Sequence, residues 1–457
     1  MTALTPLSLI AADPSSARFA ILDNRGRHNA AYLLGRAAGV ARSLPDSDAT
    51  LTASRRCIVS LNKGVGFFAG LLGCWMARRV PVLLDPMVRT ELGDAISMTG
   101  AAAAILEKER LDAVPPDIDV LIPECGVASP PALPSITPDT VVLYLFTSGS
   151  TGRPTLVPKT YAQIAVEVAF LSALFGAPKR VAGLIPWCHI WGVLSSFLLP
   201  LKNGGVCDLR GGISARGVLS LISEDALDFV AAVPIYYTAM LKIINAKLVS
   251  VSGTSCRFAS SSAPLSAGLR AAFEGAVGRG ITDIFGSTEA GGIAYRHQDG
   301  PWRPEPHVEM RIDGDGMLAV RSPSVSFETA DGFYPTGDMV RAVDNGFVLL
   351  GRGDDVVKIG GRRIALGEIK RVIESHPDVT RAEVLTNDVQ GTKRLVAFVA
   401  AAREMSPGAV KRHIRTHLAD HKVPRTVRFI EDFPMISSGK LDRQRLSALL
   451  EEGETKI

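Results

Sequence analysis

No charge of one sign dominates this chain: 50 lysines and arginines stand against 46 aspartates and glutamates, leaving a formal net charge of +4 over 457 residues. Such a balance excludes a whole-chain field for nucleic acid or anionic membrane, so any anion recognition must be local. Cysteine is sparse as well. Cys57, Cys74, Cys125, Cys188, Cys207 and Cys256 form no short Cys-x-x-Cys pair, which argues against a zinc knuckle and a disulfide framework. The apolar stretch 65–77 is too short to span a bilayer and runs into Arg78-Arg79, and residues 1–20 lack a basic segment ahead of their apolar ones. The expectation is an unexported protein of the reducing cytoplasm with no membrane span.

What the chain does have is an ordinary globular composition, 47% hydrophobic and 21% charged, over a length that suits two or three domains. Up to about Pro134, strand-like runs (57–61, 80–84, 103–106) alternate with Ala- and Leu-rich helical stretches such as 65–77. Further strand-like runs at 141–146, 181–185, 229–233 and 281–284, with a helical stretch at 265–277, extend that α/β layering. From 308 to 350 the texture changes to short runs broken by Asp-Gly and Asn-Gly turns, which predicts a small β subdomain of hairpins. Residues 366–375, 382–385, 394–400, 407–418 and 426–430 then predict a compact α+β domain. The expected boundary lies at Gly353–Asp354, giving domains 1–353 and 354–457, the second mobile about a short glycine-bearing connection.

Four stretches offer chemistry. Thr147, Ser148, Gly149, Ser150, Thr151 and Gly152 follow a strand and supply backbone N–H groups and hydroxyls that can wrap phosphate oxygens. No Gly-Lys-Ser/Thr closes this loop, so it is not a Walker A sequence, and a Ser/Gly turn is often only a loop. Phe285, Gly286, Ser287, Thr288 and Glu289 set an aromatic face, a hydroxyl and a carboxylate at a strand's carboxyl end, where open α/β sheets bind ligands. The hydroxyl and the carboxylate are hard ligands of the kind Mg²⁺ takes beside phosphates. Asp338 can accept two ribose hydroxyl bonds, and Arg352 supplies a guanidinium fork nearby. Lys440 stands on the Ser437-Ser438-Gly439 turn, where a lone lysine ordinarily faces solvent.

In order and spacing these stretches resemble the acyl-adenylate-forming (AMP-binding) superfamily: acyl- and aryl-CoA synthetases, peptide-synthetase adenylation domains and firefly-type luciferases. Residues 80–86, 184–205, 258–265 and 421–424 resemble its lesser motifs, so the likeness covers nearly the whole chain. The resemblance implies an ATP- and Mg²⁺-dependent ligase. A carboxylate attacks the α-phosphate, pyrophosphate leaves, and the thiol of CoA or of a carrier-protein phosphopantetheine then displaces AMP. It further implies that residues 147–152 hold the phosphates, that Phe285 packs on adenine, and that Thr288 and Glu289 meet the α-phosphate and the metal. By the same resemblance Asp338 and Arg352 take the ribose, Lys440 is the catalytic lysine, Asp354 is the hinge, and Gly360-Gly361 is the face presented for the thiol step.

This chain departs from the family where Pro-Lys-Gly is common after the phosphate loop: it reads Pro154-Thr155-Leu156. Lys159, or Arg153, is the expected substitute contact to the pyrophosphate portion of ATP. For the acid pocket the resemblance points to Trp187, His189, Tyr236, Ser262 and Gly291, with His189 as gate or carboxylate neighbour; a core histidine between two tryptophans is the plain alternative. No acidic residue occurs between Leu184 and Lys202, which disfavours an α-amino acid, and the two tryptophans tilt the expectation toward an aryl or medium acyl acid.

His413, His417 and His421 recur at helical spacing and tempt a metal reading, but Pro424 makes one continuous helix improbable and a solvated face is the plain reading. The local excess of Arg403, Lys411, Arg412, Arg415, Lys422 and Arg425 would, if functional, draw CoA phosphates or an acidic carrier protein, expected as a separate molecule. Two other readings compete with the thiol ligase: capture of the adenylate by an amine, and a nucleotide-binding homologue without turnover.

Overall fold

The computed structural model describes residues 4–10, 18–44, 51–53, 55–86, 91–116, 118–123, 125–147, 155–212, 214–359, 362–389, 392–435 and 441–452. Ser148, Gly149, Ser150, Thr151, Gly152, Arg153, Gly360, Gly361 and Lys440 lie outside these residues, as does the side chain of Asp354.

Two large sheets carry the N-terminal part. The first has six strands, ordered Asp119–Leu121, Ala103–Leu106, Arg56–Ser60, Val80–Leu83, Val141–Thr147, Thr155–Thr160. All pair in parallel except the last, which returns antiparallel to Val141–Thr147. Their near-continuous apolar sequences follow from burial on both faces, as parallel strands require. The all-apolar helix Val65–Met76 is buried from Phe67 to Met76 and packs against Ala30–Ser43, whose first turn Asn29 caps through Tyr32 N at 2.9 Å.

The second sheet has nine strands, with a parallel centre (Ile281–Ser287, Arg257–Ser260, Phe229–Ala232, Arg180–Gly183, Val206–Asp208, Ala20–Asp23) and antiparallel edges. One apolar core runs through the first sheet into the second; another lies under helices Ala215–Ser223, Pro234–Asn245 and Ala267–Val277.

A four-stranded antiparallel sheet, Glu309–Ile312, Met317–Arg321, Tyr334–Val343 and Gly346–Arg352, forms the predicted β subdomain around its own core. A 3-10 turn, Gly353–Asp355, occupies the expected boundary. Beyond it lie a two-stranded ribbon and a three-stranded sheet, Val379–Val389, Thr392–Ala401 and Thr426–Phe429, covered by Leu366–Glu374 and Pro407–Arg415. Leu366–Glu374 rests on Gly346–Arg352, where Arg371 Nη1 donates to the Leu349 carbonyl.

Two expectations need correction. Residues after the Gly/Ser/Thr segment, given no element by the sequence pattern, form a strand, Thr155–Thr160, antiparallel to Val141–Thr147. The helix expected over 407–418 ends at Arg415, and His421 sits on a separate 3-10 turn, Asp420–Lys422, so the three histidines do not share one helix. His413 instead packs between His376 and His417, with ring centroids 5.0 and 4.7 Å apart. Among the described residues no helix is long and apolar enough to cross a membrane.

Candidate functional site

Strand Ile281–Ser287 carries the aromatic-to-carboxylate motif and is anchored from behind. Arg270, 2% exposed, donates to Asp283 Oδ2 at 2.5 Å, and Arg296 Nε reaches the same oxygen at 3.0 Å. Charge-assisted bonds of this kind hold the strand in register. Phe285 is half-buried, its ring 5.4 Å from Trp302 and 5.8 Å from Phe347. A bulge follows between Phe285 and Gly286, which turns Gly286 and Ser287 out to solvent. Ser287 Oγ then accepts from Ala290 N at 3.1 Å and closes the turn that presents Thr288 and Glu289, both half-buried.

Asp338 and Arg352 face each other across an antiparallel pair, with 3.5 Å between Oδ1 and Nη1. Arg352 Nη1 also donates to Thr336 O at 2.9 Å, and its guanidinium lies over Gly337, where a Cβ would come within 2.7 Å of Nη2. With φ +76, Gly337 sits in backbone space and side-chain space that only glycine fills without strain. Tyr334 connects this pair to the first motif: burial raises its phenol above the usual range, the Glu289 charge raises it further, and Arg352 opposes both. The charges of Glu289 and Arg352 are thus both felt at the Tyr334 phenol. Thr147 ends its strand with a buried Oγ that has no hydrogen-bond partner among the described residues.

Beneath the Gly291–Gly292 backbone Lys159 joins a cluster of ionisable groups, Glu167, Glu305 and His307, that motif reading missed. Lys159 is fully buried, donates to Ser324 O at 3.0 Å and stands 3.9 Å from Glu167. Glu167 Oε2 accepts from Gly292 N at 3.2 Å, and burial lifts this carboxyl above its usual range. Glu305, 2% exposed, is pushed up to about 8 by burial and then by the Glu167 charge, while burial lowers His307, 3.4 Å away. Gly291 adopts φ +75, and a Cβ there would strike Ser324 and the Glu167 carboxylate. The available signal was Glu167 itself, the single charge in the helix Tyr161–Leu174.

Two site assignments are corrected by this packing. Lys159 is held inside by Ser324 and Glu167, so it is a core cation and not a free contact for pyrophosphate. Trp187 is 1% exposed, gives its indole N–H to Ser196 Oγ at 3.0 Å, and packs on Phe67 and Phe197. Trp191 is 5% exposed, so the argument for an aryl acid from flanking tryptophans falls with Trp187's place in the pocket.

His189 begins a helical stretch, Ile190–Gly192, that continues through the π segment Val193–Leu198. Its Nε2 lies 3.6 Å from Asp85 Oδ2, a residue the sequence reading passed over. Tyr236 is half-buried and raised by burial, whereas Ser262 is exposed with φ +70.

Comparison with known proteins accounts for this architecture. The chain is 26% identical over 375 residues to a sulfoacetate–CoA ligase of Cupriavidus necator, covering 72% of this chain and 73% of that one. It is 25% identical over 514 aligned positions to a mitochondrial malonate–CoA ligase of Bos taurus, covering 94% and 88%. The fold matches ATP-bound MatB from Rhodopseudomonas palustris with a TM-score of 0.85 at 21% identity, over 98% of this chain and 99% of that one. Residues 11–322 match the AMP-binding enzyme family and residues 368–440 the AMP-binding enzyme C-terminal domain, and the chain belongs to that family.

Proposed function

We propose that the protein is an AMP-forming acid–thiol ligase: it adenylates a carboxylic acid with ATP and passes the acyl group to the thiol of CoA. The observation that carries this reading is the Asp338–Arg352 pair, which faces across two strands with 3.5 Å between Oδ1 and Nη1, in a chain that also keeps Phe285, Thr288 and Glu289 on the turn after strand Ile281–Ser287. A carboxylate is a poor acyl donor, and the mixed anhydride with AMP gives it a good leaving group. Charge growing on the α-phosphate then needs preorganised cations and donors.

In this assignment Asp338 and Arg352 hold the ribose, Phe285 packs on adenine with Gly286 and Ser287 beside it, and Thr147 with residues 148–152 wraps the phosphates. Thr288 and Glu289 are hard-oxygen donors and fit Mg²⁺ held jointly with phosphate oxygens, an ion that would neutralise charge on the α-phosphate. Lys440 supplies the cation from the C-terminal part, residues 354–457, which turns about Asp354 to bring Gly360 and Gly361 forward for the thiol step. Tyr236, Ser262 and Gly291 line the acid pocket and His189 gates it. The CoA ligases among the relatives support a thiol acceptor; a separate carrier protein would offer the same thiol.

The test is AMP release in the presence of an acid panel and CoA, with the acyl product identified by mass. Acid-dependent AMP release with loss of free thiol supports the reading. AMP release that leaves the thiol intact and consumes an added amine would replace it with the amide ligase.

A further inference from the structure

Asp85 follows strand Val80–Leu83 of the six-stranded sheet, and Cys188 and His189 follow strand Arg180–Gly183 of the nine-stranded sheet. Both are carboxyl ends of parallel strands. One carboxylate oxygen, the Cys188 sulfur and one imidazole nitrogen lie within 4.8 Å of one another, with Asp85 and Cys188 buried and His189 partly so. Among the described residues His189 Nε2 is buried without a hydrogen bond; Asp85 Oδ2 stands 3.6 Å off, beyond hydrogen-bond reach. Ligand atoms bound tetrahedrally at about 2.0–2.3 Å from a metal lie about 3.3–3.8 Å apart, so the His–Asp separation already has the right size.

We propose that Asp85, Cys188 and His189 form a site for a thiophilic divalent cation of the zinc class, with three ligands among the described residues. A thiolate, a carboxylate and a neutral imidazole bring two negative charges to balance a dication, and the buried Arg110 guanidinium, which donates to the Asp85 carbonyl at 3.0 Å, is a further charge nearby. The sulfur and nitrogen donors select zinc or cobalt over magnesium, which prefers oxygen alone. Because the ligands come from two sheets, the ion ties them together and raises the stability of the folded chain. Binding releases the Cys188 proton to solvent and changes no oxidation state.

Cobalt(II) titration of the full chain under reducing conditions tests the proposal. The expected result is a stoichiometric thiolate-to-cobalt charge-transfer band with visible bands of tetrahedral cobalt, both displaced by zinc, and a zinc-dependent rise in unfolding temperature reversed by chelator. Cys188→Ser and Asp85→Asn should lose the charge-transfer band or weaken cobalt binding at least tenfold, while Cys125→Ser, at a half-buried thiol elsewhere, should keep it. Absence of the band in the wild-type chain, or its persistence in Cys188→Ser, would overturn the site. Since His189 is also the proposed gate, zinc should lower acid-dependent adenylation. That consequence alone rests on the ligase reading, and it fails separately from the cobalt spectrum.

Discussion

The two sides of the turn that joins Ile281–Ser287 to Gly291–His297 are built on opposite principles. Outward, Gly286 and Ser287 are exposed and Thr288 and Glu289 half-buried, so their side chains reach the surface. Inward, Lys159, Glu167, Glu305 and His307 are packed under Gly291 and Gly292 and satisfy one another only in part, with Glu167 Oε1, Glu305 Oε2 and His307 Nε2 lacking hydrogen bonds among the described residues. Groups on the outer side can change without unfolding the chain, whereas removing one inner partner strands a charge in a medium that cannot solvate it. Chemistry and stability should therefore separate cleanly across a few ångströms.

The largest effect that would sharpen this contrast belongs to the anchor. Arg270→Ala leaves Asp283 buried beside Arg296 alone, and urea unfolding should show a loss of about 3–5 kcal/mol, the usual cost of breaking a buried pair. An unchanged midpoint would mean that the strand is held by its ladder alone. Lys159→Ala should behave in the same way, at up to about 3 kcal/mol, because Glu167 loses its cation and Ser324 O its donor. Its apparent ATP affinity, measured at a temperature where the variant is folded, should stay within about twofold of the wild type, a difference under about 0.5 kcal/mol. A tenfold weakening would restore Lys159 to the phosphate site and break the comparison.

Glu289→Gln is the opposite case. Acid-dependent turnover should fall by about 10²–10³-fold, the scale for loss of one group that stabilises transition-state charge, with a denaturation midpoint close to that of the parent. Turnover kept within a few fold would remove Glu289 from the chemistry.

A further effect concerns pH. Glu305 is raised to about 8 from an ordinary value near 4.5, so across that interval the folded chain holds a proton that the unfolded chain releases. Stability contributed by the protonated carboxyl is complete below the unfolded value and lost as pH rises through the folded one. Urea midpoints should thus decline between about pH 5 and about pH 8.5, and Glu305→Gln should flatten that decline. A steeper slope in the variant would contradict the assignment.

Local composition carried far in this chain, and its failures share one cause. Strands 103–106 and 426–429 and the hairpins of the β subdomain follow directly from apolar runs and Asp-Gly or Asn-Gly turns. Phe285, Glu289, Asp338 and Arg352 are legible because each stands in a short local motif whose residue types a sequence displays, and the phosphate and ribose roles proposed for them rest on that pattern. Trp187 and Lys159 were misplaced because their roles depend on which way a strand or loop points, settled by Phe67, Phe197 and Ser324 far away in sequence. Asp85 beside His189 and Glu305 beside Glu167 are contacts between distant segments, and no spacing rule could have joined them.

Acid-dependent exchange of labelled pyrophosphate into ATP, run over aryl, medium acyl and fatty acids with the wild type, Glu289→Gln and Lys440→Ala, tests adenylation most directly. The account predicts exchange with at least one acid class in the wild type and its loss in both variants. Nucleotide binding without exchange on any acid, or exchange that survives both substitutions, would contradict it.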